Sequence, residues 1–392
     1  MQISNRANAV KPSATIVING KTKQLKAQGI DVINLSVGEP DFDTPEFIKK
    51  AAIKAIELGY TKYTAVDGIP ELKDAIIKKF KNENHLDYTS EQILVSCGAK
   101  QSFYNLMQAV LNDGDEVITP APYWVSYPAM VSLAGGVNVI VKTSVENRFK
   151  ITATQLEKAI TPKTKILIIN SPNNPTGMAY TKEDLFSLAQ VLLKHPQVLI
   201  ASDDMYEHIL WGINPFVNIV NVCPELKERT IVCNGVSKSF AMTGWRIGYA
   251  AGAVAIIKAM TKIQSHSTSN PTSISQYAAA AALTGEKEFL HNLKKVFKER
   301  HDFIHQKLNA ISGVICPPAD GAFYLFPNVE KAIARQGLKD DIALCELILE
   351  KAHVAVVPGT EFGAPGFIRL SYATNIETLK LAVERMEQFI KG

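Results

Sequence analysis

The sequence predicts an α/β protein built around a mostly parallel β-sheet that is covered by helices on both faces, with a smaller α+β domain beside it. The first observation is an alternation of short β-branched runs with amphipathic helical segments such as TKEDLFSLAQVLLKH (181–195). Apolar strands joined by helices are typical of a parallel sheet with both faces buried. The predicted strands are EVITP (116–120), KILIIN (165–170), VLIASD (198–203), TIVCNGV (230–236) and IGYAAG (247–252).

The second observation is a change of character near residue 295. A long charged helical pattern occupies residues 287–311 and leads into shorter strands, with helices between and after them. We therefore predict a large domain over residues 40–295, and a small α+β domain formed by residues 296–392 together with residues 1–39, which include an N-terminal arm. The predicted strands of the small domain are GAFYLF (321–326), VAVVPG (354–359) and FIRLSYA (367–373).

Composition and charge argue against several classes of function. The chain carries 42 Lys and Arg against 38 Asp and Glu, spread along its length, so a nucleic-acid partner is not predicted. The five cysteines form an odd set without a CxxC pair, which argues against a disulfide framework or a zinc site and favours a reducing cytoplasm. The N-terminal stretch MQISNRANAVKPSAT lacks an apolar signal core, and YAAGAVAII (249–257) is too short to span a membrane. We therefore expect a soluble cytoplasmic protein without a membrane partner.

Polar residues at strand ends are the first candidates for a site, because ligands of parallel sheets bind at the carboxyl ends of the strands. In SCGAKQSFYNLMQAV (96–110), Gly98 and Ala99 open a helix whose free N–H groups and dipole suit a phosphate. Simple helix capping is the alternative. In NSPNNPTG (170–177), two prolines and two asparagines predict a rigid loop from which Asn174 points an amide at a ligand oxygen, with a purely structural turn as the alternative.

Two further strand ends carry charged residues. Asp203 ends the run VLIASD, and a carboxylate buried there needs a cation or a donor, unless it or Asp204 caps a helix. Tyr206 is close enough along the chain to present a phenol to the same place. After TIVCNGV, Lys238 lies between two serines and Arg246 follows. A lysine whose pKa is depressed by burial or nearby cations attacks carbonyl groups, and arginine binds phosphate through its planar guanidinium.

Together these residues meet the requirements of pyridoxal phosphate. The cofactor has an aldehyde that needs a lysine, a ring nitrogen that needs an anionic partner, a phenolic oxygen that needs donors, and a phosphate. No GxGxxG motif follows a first strand, and no metal or dinucleotide interpretation uses as many of these residues. The sequence therefore predicts a pyridoxal-phosphate enzyme without a metal.

The chain resembles the class I pyridoxal-phosphate aminotransferases, and within them the bacterial aspartate aminotransferases. The resemblance extends over nearly the whole chain, because the family's motifs occur here in the family's order. It implies the fold of a fold-type-I pyridoxal-phosphate enzyme. The motifs are VKPSAT (10–15), NLSVGEPDFDTP (34–45), YTAVDGIPELK (63–73), PYWVSYP (122–128), NSPNNPTG (170–177), SDDMY (202–206), SKSFAMTGWRIGYA (237–250) and RLSYA (369–373).

The resemblance implies a role for each candidate. Lys238 would bind the cofactor covalently and act as the catalytic base and acid. Tyr63 matches a residue that is lent to the phosphate of the neighbouring subunit, which implies a homodimer with shared active sites. Gly235 stands where some relatives carry serine, so one phosphate hydrogen bond is expected to be missing or replaced, whereas Asp204 stands where many relatives carry glutamate. The other implied cofactor contacts are Asp203 for the ring nitrogen, Asn174 and Tyr206 for the phenolic oxygen, Trp124 for stacking, and Gly98, Ala99, Ser237 and Arg246 for the phosphate.

The candidates for substrate binding come from three parts of the chain. Arg369 lies within the strand pattern FIRLSYA, where a buried guanidinium needs a planar anion. The resemblance implies that it binds the α-carboxylate of an amino acid, assisted by the backbone at Gly38 and by Trp124 and Asn174, with a structural ion pair as the alternative. Lys100 is the candidate for the distal carboxylate of a dicarboxylic substrate. The alternatives are that Lys100 is a solvated helix lysine and that residues 11–13, or the neighbouring subunit near residues 269–270, bind that group.

These inferences predict a transaminase that converts L-aspartate and 2-oxoglutarate to oxaloacetate and L-glutamate. Three alternatives stay open: an aminotransferase for prephenate or aromatic amino acids, a related lyase that eliminates a β-substituent, and a non-catalytic regulator that keeps the fold and cofactor. Such regulators usually carry an added DNA-binding module, and this chain has no basic arm for one.

Overall fold

The computed structural model describes residues 2–12, 14–212 and 214–391. None of the helices in this part of the chain combines the length and apolar character that a membrane crossing requires. The strands are β1 Ile33–Asn34, β2 Ile93–Ser96, β3 Glu116–Ala121, β4 Val137–Lys142, β5 Thr164–Asn170, β6 Leu199–Asp203, β7 Thr230–Gly235, β8 Gly248–Ala251, β9 Tyr324–Leu325, β10 Val354–Ala355, β11 Val357–Pro358 and β12 Ile368–Ser371. The α-helices are α1 Asn5–Asn8, α2 Ala14–Ala27, α3 Glu46–Glu57, α4 Pro70–Asn84, α5 Ala99–Val110, α6 Ser126–Leu133, α7 Ala153–Ala159, α8 Lys182–Lys194, α9 Ile219–Val222, α10 Val254–Ser265, α11 Ser273–Thr284, α12 Glu288–Asn309, α13 Glu330–Arg335, α14 Asp341–Leu347 and α15 Ile376–Lys391.

The central sheet has the strand order β2-β8-β7-β6-β5-β3-β4. Strands β3 to β7 pair in parallel, and β8 runs antiparallel to both of its neighbours. Helices connect the parallel strands, as expected when parallel strands must be joined by crossovers. The predicted α/β fold with a mostly parallel sheet is therefore confirmed.

Side chains of β5 show that both faces of this sheet are covered. Leu167 and Ile169 belong to the apolar core on one face, whereas Ile166 and Ile168 belong to the core on the other face. All four are buried, because successive side chains of a strand point to opposite faces and helices cover each side. This double burial is the reason that the strand reads as one continuous apolar run.

Each of the five strands predicted for the large domain overlaps a strand of the central sheet, but β2 and β4 were missed. Both are edge strands. Strand β2 has only four residues. Strand β4 is partly exposed along its length, so it lacks the continuous apolar run of a central strand. Edge strands are therefore harder to predict from the sequence than the central strands of this sheet.

The C-terminal strands form two small sheets. Strands β11, β12 and β9 pair antiparallel in that order, and β1 pairs in parallel with β10. The predicted strand over residues 354–359 is split between them, because Val354 pairs with Ile33 whereas Val357 pairs with Arg369. The N-terminal segment therefore contributes a strand to this part of the fold.

Helix α12 connects the two principal apolar cores. Leu290 packs into a core of the central sheet, and Leu293, one turn later, packs into the core around the C-terminal strands. The helix is continuous through residue 295. The domain division at residues 39/40 and 295/296 stays a prediction.

The sheet order brings three strand ends together. Asn170 at the end of β5 pairs with Asp203 at the end of β6, and Asp203 pairs with Cys233 near the end of β7. The loops that follow β5, β6 and β7 therefore emerge side by side at one edge of the sheet, where open α/β sheets bind their ligands.

Candidate active site

A cavity of about 300 Å³ lies at this edge of the sheet. Gly98 is not among the residues that line it but lies next to Arg246, which does: a Cβ on Gly98 would lie 2.3 Å from Nη2 of Arg246. Tyr63 does not line the cavity of its own chain and is 91% exposed. The structure brings the remaining candidates together around the cavity: Gly38, Ala99, Lys100, Trp124, Asn174, Asp203, Tyr206, Ser237, Lys238, Arg246 and Arg369.

Lys238 lies in the loop that follows β7. Its Nζ donates a hydrogen bond to the carbonyl oxygen of Gly38 at 2.7 Å. Burial lowers the pKa of Lys238 to about 8; Glu39 raises it, and nearby cations, Arg246 and Arg369 among them, lower it. An appreciable fraction of this lysine is therefore neutral near neutral pH, and the neutral amine is the form that attacks a carbonyl or accepts a proton.

Asp203 is a buried carboxylate at the end of β6. The phenol of Tyr127 donates a hydrogen bond to its Oδ2, and the backbone N–H of Met205 donates to its Oδ1 at 3.2 Å. Burial raises the pKa of Asp203 to about 6, although the Tyr127 and Met205 hydrogen bonds and the charge of Lys238 oppose that rise. Asp203 is therefore ionised at neutral pH and can serve as the anionic partner of a cationic ligand group.

The helix-cap alternative for Asp203 and Asp204 does not describe this segment. Residues 205–208 form a turn rather than a helix, and the next helix of the described residues is α9. Asp204 instead accepts hydrogen bonds from Ser202 Oγ at 2.7 Å and Asn218 Nδ2 at 2.7 Å. Burial, with the nearby Glu207 charge, raises the pKa of Asp204 to about 7.

The start of α5 forms the candidate phosphate seat. Gly98 has φ +82°, and a Cβ on Gly248 would lie 2.1 Å from the backbone nitrogen of Ala99, so glycine at position 248 lets β8 approach the helix start closely. The Arg246 guanidinium donates to the carbonyl oxygens of Thr243 at 2.8 Å and Cys97 at 3.3 Å. A helix N-terminus next to a guanidinium is a favourable site for an anion.

Gly235, at the position where some relatives carry serine, is closely surrounded by other atoms. A Cβ there would lie 3.0 Å from both the Cα of Gly248 and the carbonyl oxygen of Ile247. Glycine therefore suits the close pairing of β7 with β8. The contribution of Gly235 to phosphate binding stays a prediction.

Charge is distributed unevenly around the cavity. Asp203 is its sole acidic lining residue within the described part of the chain. Cations focused in one concave site raise the local concentration of anionic ligands. The cavity is therefore suited to phosphate and carboxylate groups. Its cationic lining residues are Lys100, Lys238, Arg246 and Arg369.

The side chains of Asn174 and Tyr206 each make one direct polar contact beside the cavity. Oδ1 of Asn174 accepts a hydrogen bond from Nη1 of Arg369 at 3.0 Å, which leaves the Asn174 NH₂ group to face a ligand acceptor. The Tyr206 hydroxyl lies 2.9 Å from the Tyr324 hydroxyl. Burial raises the pKa of Tyr206 well above its usual value, so its phenol stays protonated and can donate a hydrogen bond.

Arg369 is buried in β12 with its guanidinium between the Tyr324 and Phe362 rings, 4.7 and 5.0 Å from their centroids. Its Nη groups donate to Asn174 Oδ1 and to the Ser36 carbonyl oxygen, whereas its Nε has no hydrogen-bond partner in the described part of the chain. Among the described residues no carboxylate pairs with it, so the structural ion pair considered for this arginine is not observed. A buried guanidinium with a free donor is suited to a ligand carboxylate.

Lys100 lies in the first turn of α5, where its side chain is exposed to solvent and also lines the cavity, so its role as a distal-carboxylate ligand stays a prediction beside the solvated-lysine alternative. Its Nζ lies 5.0 Å from the centroid of the Trp124 ring, and burial together with the charge of Arg246 lowers its pKa. Among the alternatives for the distal carboxylate, Lys11 borders a separate groove and Ser13 lies outside the described residues. Thr15 lines the cavity itself.

Sequence reasoning missed Tyr127 and Tyr324, and it noted Asn170 only as the polar residue that ends the run KILIIN. Tyr127 supports Asp203, Asn170 Oδ1 accepts a hydrogen bond from the Asn174 backbone N–H at 2.8 Å, and Tyr324 contacts Tyr206. Tyr127 and Asn170 lie within PYWVSYP and NSPNNPTG, so their motifs pointed to them. Tyr324 lies inside the apolar run GAFYLF, and no local pattern distinguishes it from a core residue.

Comparison with known proteins establishes the class. Residues 30–386 match the family described as aminotransferase class I and II. The chain is 53% identical over 396 residues to the aspartate/prephenate aminotransferase of Nitrosomonas europaea, with 100% of both chains covered. It is also 53% identical over 392 residues to the aspartate aminotransferase of Geobacillus stearothermophilus, again with 100% of both chains covered. The chain therefore belongs to the class I and II aminotransferases, and the predicted family is confirmed.

Solved structures support the same class. The aspartate aminotransferase from Rhizobium meliloti matches with a TM-score of 0.96 at 46% identity, covering 100% of this chain and 99% of that chain. The aspartate aminotransferase from Thermus thermophilus with maleate matches with a TM-score of 0.94 at 44% identity, covering 99% of both chains. The similarity therefore extends through both the central sheet and the C-terminal strands.

Proposed function

We propose that this protein is a pyridoxal-phosphate-dependent aminotransferase that moves the amino group of L-aspartate to 2-oxoglutarate, which yields oxaloacetate and L-glutamate. The observation that carries the proposal is the buried Arg369 guanidinium in the same cavity as Lys100; its Nε has no hydrogen-bond partner within residues 2–12, 14–212 and 214–391. Two separate cations suit a substrate with two carboxylates. Relatives named aspartate aminotransferase support the same substrate.

The residues around the cavity fit pyridoxal phosphate. The absence of a Cβ at Gly98 lets the Arg246 guanidinium lie beside the start of α5, and the absence of a Cβ at Gly248 lets β8 pack against the backbone of Ala99. A guanidinium beside a helix N-terminus fits a phosphate group. When bound, the cofactor supplies an electron-withdrawing pyridine ring that stabilises negative charge at the substrate Cα. The residues proposed to hold it are Lys238 at the aldehyde, Asp203 at the ring nitrogen, Asn174 and Tyr206 at the phenolic oxygen, Trp124 on the ring face, and Gly98, Ala99, Ser237 and Arg246 at the phosphate.

The proposed chemistry divides between binding groups and one proton-transferring group. Arg369 binds the α-carboxylate of the amino acid and Lys100 binds the distal carboxylate. Lys238 takes the α-proton and later returns a proton, and its pKa of about 8 lets one nitrogen serve as both base and acid near neutral pH. Asp203, ionised above about pH 6, accepts a hydrogen bond from the ring nitrogen and keeps that nitrogen protonated.

We also propose that the protein is a homodimer with shared active sites. An apolar surface formed by α3 and the segment after it is exposed, with Ile53, Ile56 and Leu58 each more than half exposed. Exposed apolar patches of this kind mark interaction surfaces, and a second copy of the chain is the occupant that the resemblance implies. The exposed Tyr63 lies in the same part of the chain, where it is available to the partner's cavity.

A cytoplasmic location is proposed from the cysteines. All five are free thiols in the described residues, and four of them are buried. Buried reduced thiols are typical of proteins from a reducing compartment.

The experiment that tests the proposed reaction is a steady-state panel of amino donors with 2-oxoglutarate as acceptor. Aspartate is expected to have the highest kcat/KM, and a clear preference for a monocarboxylic donor would contradict the proposal. Amination of prephenate is the second candidate, favoured by the name of the Nitrosomonas relative. Prephenate with glutamate or aspartate as donor therefore belongs in the panel, and comparable kcat/KM values for prephenate and oxaloacetate would identify a dual-specificity enzyme.

A further inference from the structure

A hydrogen bond outside the cavity joins two segments of the site. Nδ1 of His208, in the turn after β6, lies 3.0 Å from Oγ of Ser239, which directly follows Lys238. This turn follows Asp203, the last residue of β6, and also carries Tyr206. This bond therefore connects the segment that holds the ring-nitrogen and phenolic-oxygen candidates with the segment that holds the lysine.

The other ring nitrogen of His208 contacts Glu83, near the end of α4. Nε2 lies 2.8 Å from Oε2 of Glu83. Burial raises the pKa of Glu83, but the hydrogen bond and charge of His208 and the charge of Lys79 hold it at about 2. An ionised carboxylate only accepts hydrogen bonds, so we assign the proton to Nε2. Nδ1 and the Ser239 hydroxyl then form the second hydrogen bond of the ring.

Glu83 and the nearby Glu207 both form ion pairs with lysine side chains. Nζ of Lys287 lies 2.7 Å from Oε1 of Glu83, and Lys79 contacts both Glu83, at 3.9 Å, and Glu207. Glu83, Glu207 and His208 place ligand atoms within 4.8 Å of one another. Because both carboxylates already have ammonium partners, this cluster suits a rigid support for His208 rather than a cation site.

Ser239 points to the opposite side of its loop from its neighbours. Ser237 and Lys238 line the cavity, whereas Ser239 is 1% exposed and does not line it. The backbone of the loop is closed by a bond from Phe240 N to Val236 O at 3.2 Å. Leaving a buried hydroxyl unpaired is costly, so the bond to His208 constrains how the loop can move.

We propose that His208 is a positioning residue for the aminotransferase reaction: acting through Ser239, it holds the loop of Lys238 in place relative to Asp203 and Tyr206. The inference rests on the proposed role of Lys238 as the residue that binds the cofactor and moves the proton. Small displacements of a proton-transferring group reduce the rate of the chemical step, whereas the carboxylate contacts of the substrate do not involve this loop. Loss of the bond is therefore expected to lower kcat more than it changes KM.

The test uses the full-length protein with bound pyridoxal phosphate and three variants. Two quantities are measured: kcat and KM for aspartate, and the pH midpoint of the visible absorption of the bound cofactor, which reports on the Lys238 nitrogen. Ser239→Ala and His208→Gln remove the bond, and we expect kcat to fall about 3- to 10-fold with KM changed less than about 2-fold. The midpoint is expected to shift by about 0.3 to 1 pH unit. His208→Asn places an amide near the position of Nδ1 and is expected to recover at least half of the lost kcat.

Controls separate positioning from stability. His291 borders the same surface cleft as His208 but is exposed, so His291→Gln is expected to match the native protein. The melting temperature of each variant is measured in parallel. A lowered Tm with native kcat and midpoint in Ser239→Ala and His208→Gln would overturn the proposal, as would equal losses in His208→Asn and His208→Gln. A native protein without a visible absorption band would instead contradict the proposed function.

Discussion

The phenol of Tyr127 donates a hydrogen bond to Oδ2 of Asp203 within the protein interior. Burial raises the pKa of Asp203 to about 6, and the Tyr127 hydrogen bond lowers it. The balance of these two effects keeps the carboxylate ionised at neutral pH, which is the state that a cationic ring nitrogen requires. The ionised carboxylate that the proposed function requires therefore lowers the stability of the folded, cofactor-free protein.

The first prediction concerns Asp203→Asn. A neutral amide cannot keep the ring nitrogen protonated, so we expect kcat/KM to fall on the order of 10² or more while the cofactor is retained. The folded pKa of about 6 exceeds the unfolded value of 3.8, so ionisation destabilises the folded protein increasingly from pH 3.8 to pH 6. At pH 7 the cofactor-free variant is therefore expected to unfold with a free energy up to about 3 kcal/mol higher than the native protein. Steady-state kinetics and urea unfolding measure the two effects.

Tyr127→Phe is the matched control for this variant. It removes the donor but keeps the carboxylate, so the pKa of Asp203 should rise and the cofactor-free protein should lose rather than gain stability at pH 7. Near-normal turnover in Asp203→Asn would show that Asp203 has only a structural role. Equal stability of Asp203→Asn and native protein would show that burial does not penalise this carboxylate.

The second prediction concerns the reactivity of Lys238. Its pKa of about 8 implies that about a quarter of this amine is neutral at pH 7.5, against roughly 0.1% of an ordinary lysine. In the cofactor-free protein, Lys238 should therefore react with an acylating reagent fastest among the lysines, with a rate that reaches half its maximum near pH 8. Peptide mapping by mass spectrometry measures this rate for each lysine.

The same lysine should carry the cofactor. We expect the purified protein to absorb visible light. Borohydride reduction should fix the cofactor permanently on Lys238, where peptide mapping detects it as a label. Lys182, exposed at the start of α8, provides an internal reference that should carry no cofactor. A label on a different lysine, or none, would contradict the proposed role of Lys238.

The third prediction concerns Lys100 and substrate specificity. Lys100→Ala should leave the distal carboxylate of aspartate without a cationic partner in a partly desolvated cavity. Loss of such a contact costs roughly 1.5–3 kcal/mol, or about 10- to 150-fold in kcat/KM for aspartate and glutamate. Phenylalanine makes no such contact, so its kcat/KM should change little or rise. The measurement compares aspartate and phenylalanine with 2-oxoglutarate as acceptor, and glutamate with oxaloacetate as acceptor.

The two kinds of substrate form the control for that variant. Lys100 is next to the start of α5, so damage to the phosphate seat would lower kcat/KM for every donor together. Equal losses for aspartate and phenylalanine would thus assign Lys100 to cofactor support. If neither value changes, another group must bind the distal carboxylate.

The fourth prediction tests the shared sites. A chain with Tyr63→Ala and a chain with Lys238→Ala should each be nearly inactive as homodimers. In a hybrid dimer, one site combines the native Lys238 of one chain with the native Tyr63 of the other. Random mixing makes about half of the dimers hybrid with one native site each, so about one quarter of native activity should return. Native mass spectrometry shows whether the subunits have exchanged, and exchange without recovery of activity would contradict a shared site.

Much of the fold and of the candidate site could be predicted because the information is local in the chain. Continuous apolar runs predicted the central strands, and the polar residues that end or follow them, such as Asp203 and Asn174, predicted the edge where the cavity lies. Lys238 was predicted from the apolar run before it and from its place beside Arg246. Residue type and spacing suffice here because a parallel sheet places all such strand ends at one edge.

Other parts of the site depended on contacts between distant segments. Arg369 forms a hydrogen bond with Asn174, which is 195 residues away in the sequence. Tyr127 and Asp203 are hydrogen-bonded at a separation of 76 residues, and His208 and Ser239 at a separation of 31. The strand over residues 354–359 was split because its halves pair with different strands. By itself the sequence determined which chemical groups are present and which secondary structures carry them. Only the tertiary structure decided which groups are buried together, because burial and hydrogen bonding depend on the order in which the strands and helices assemble.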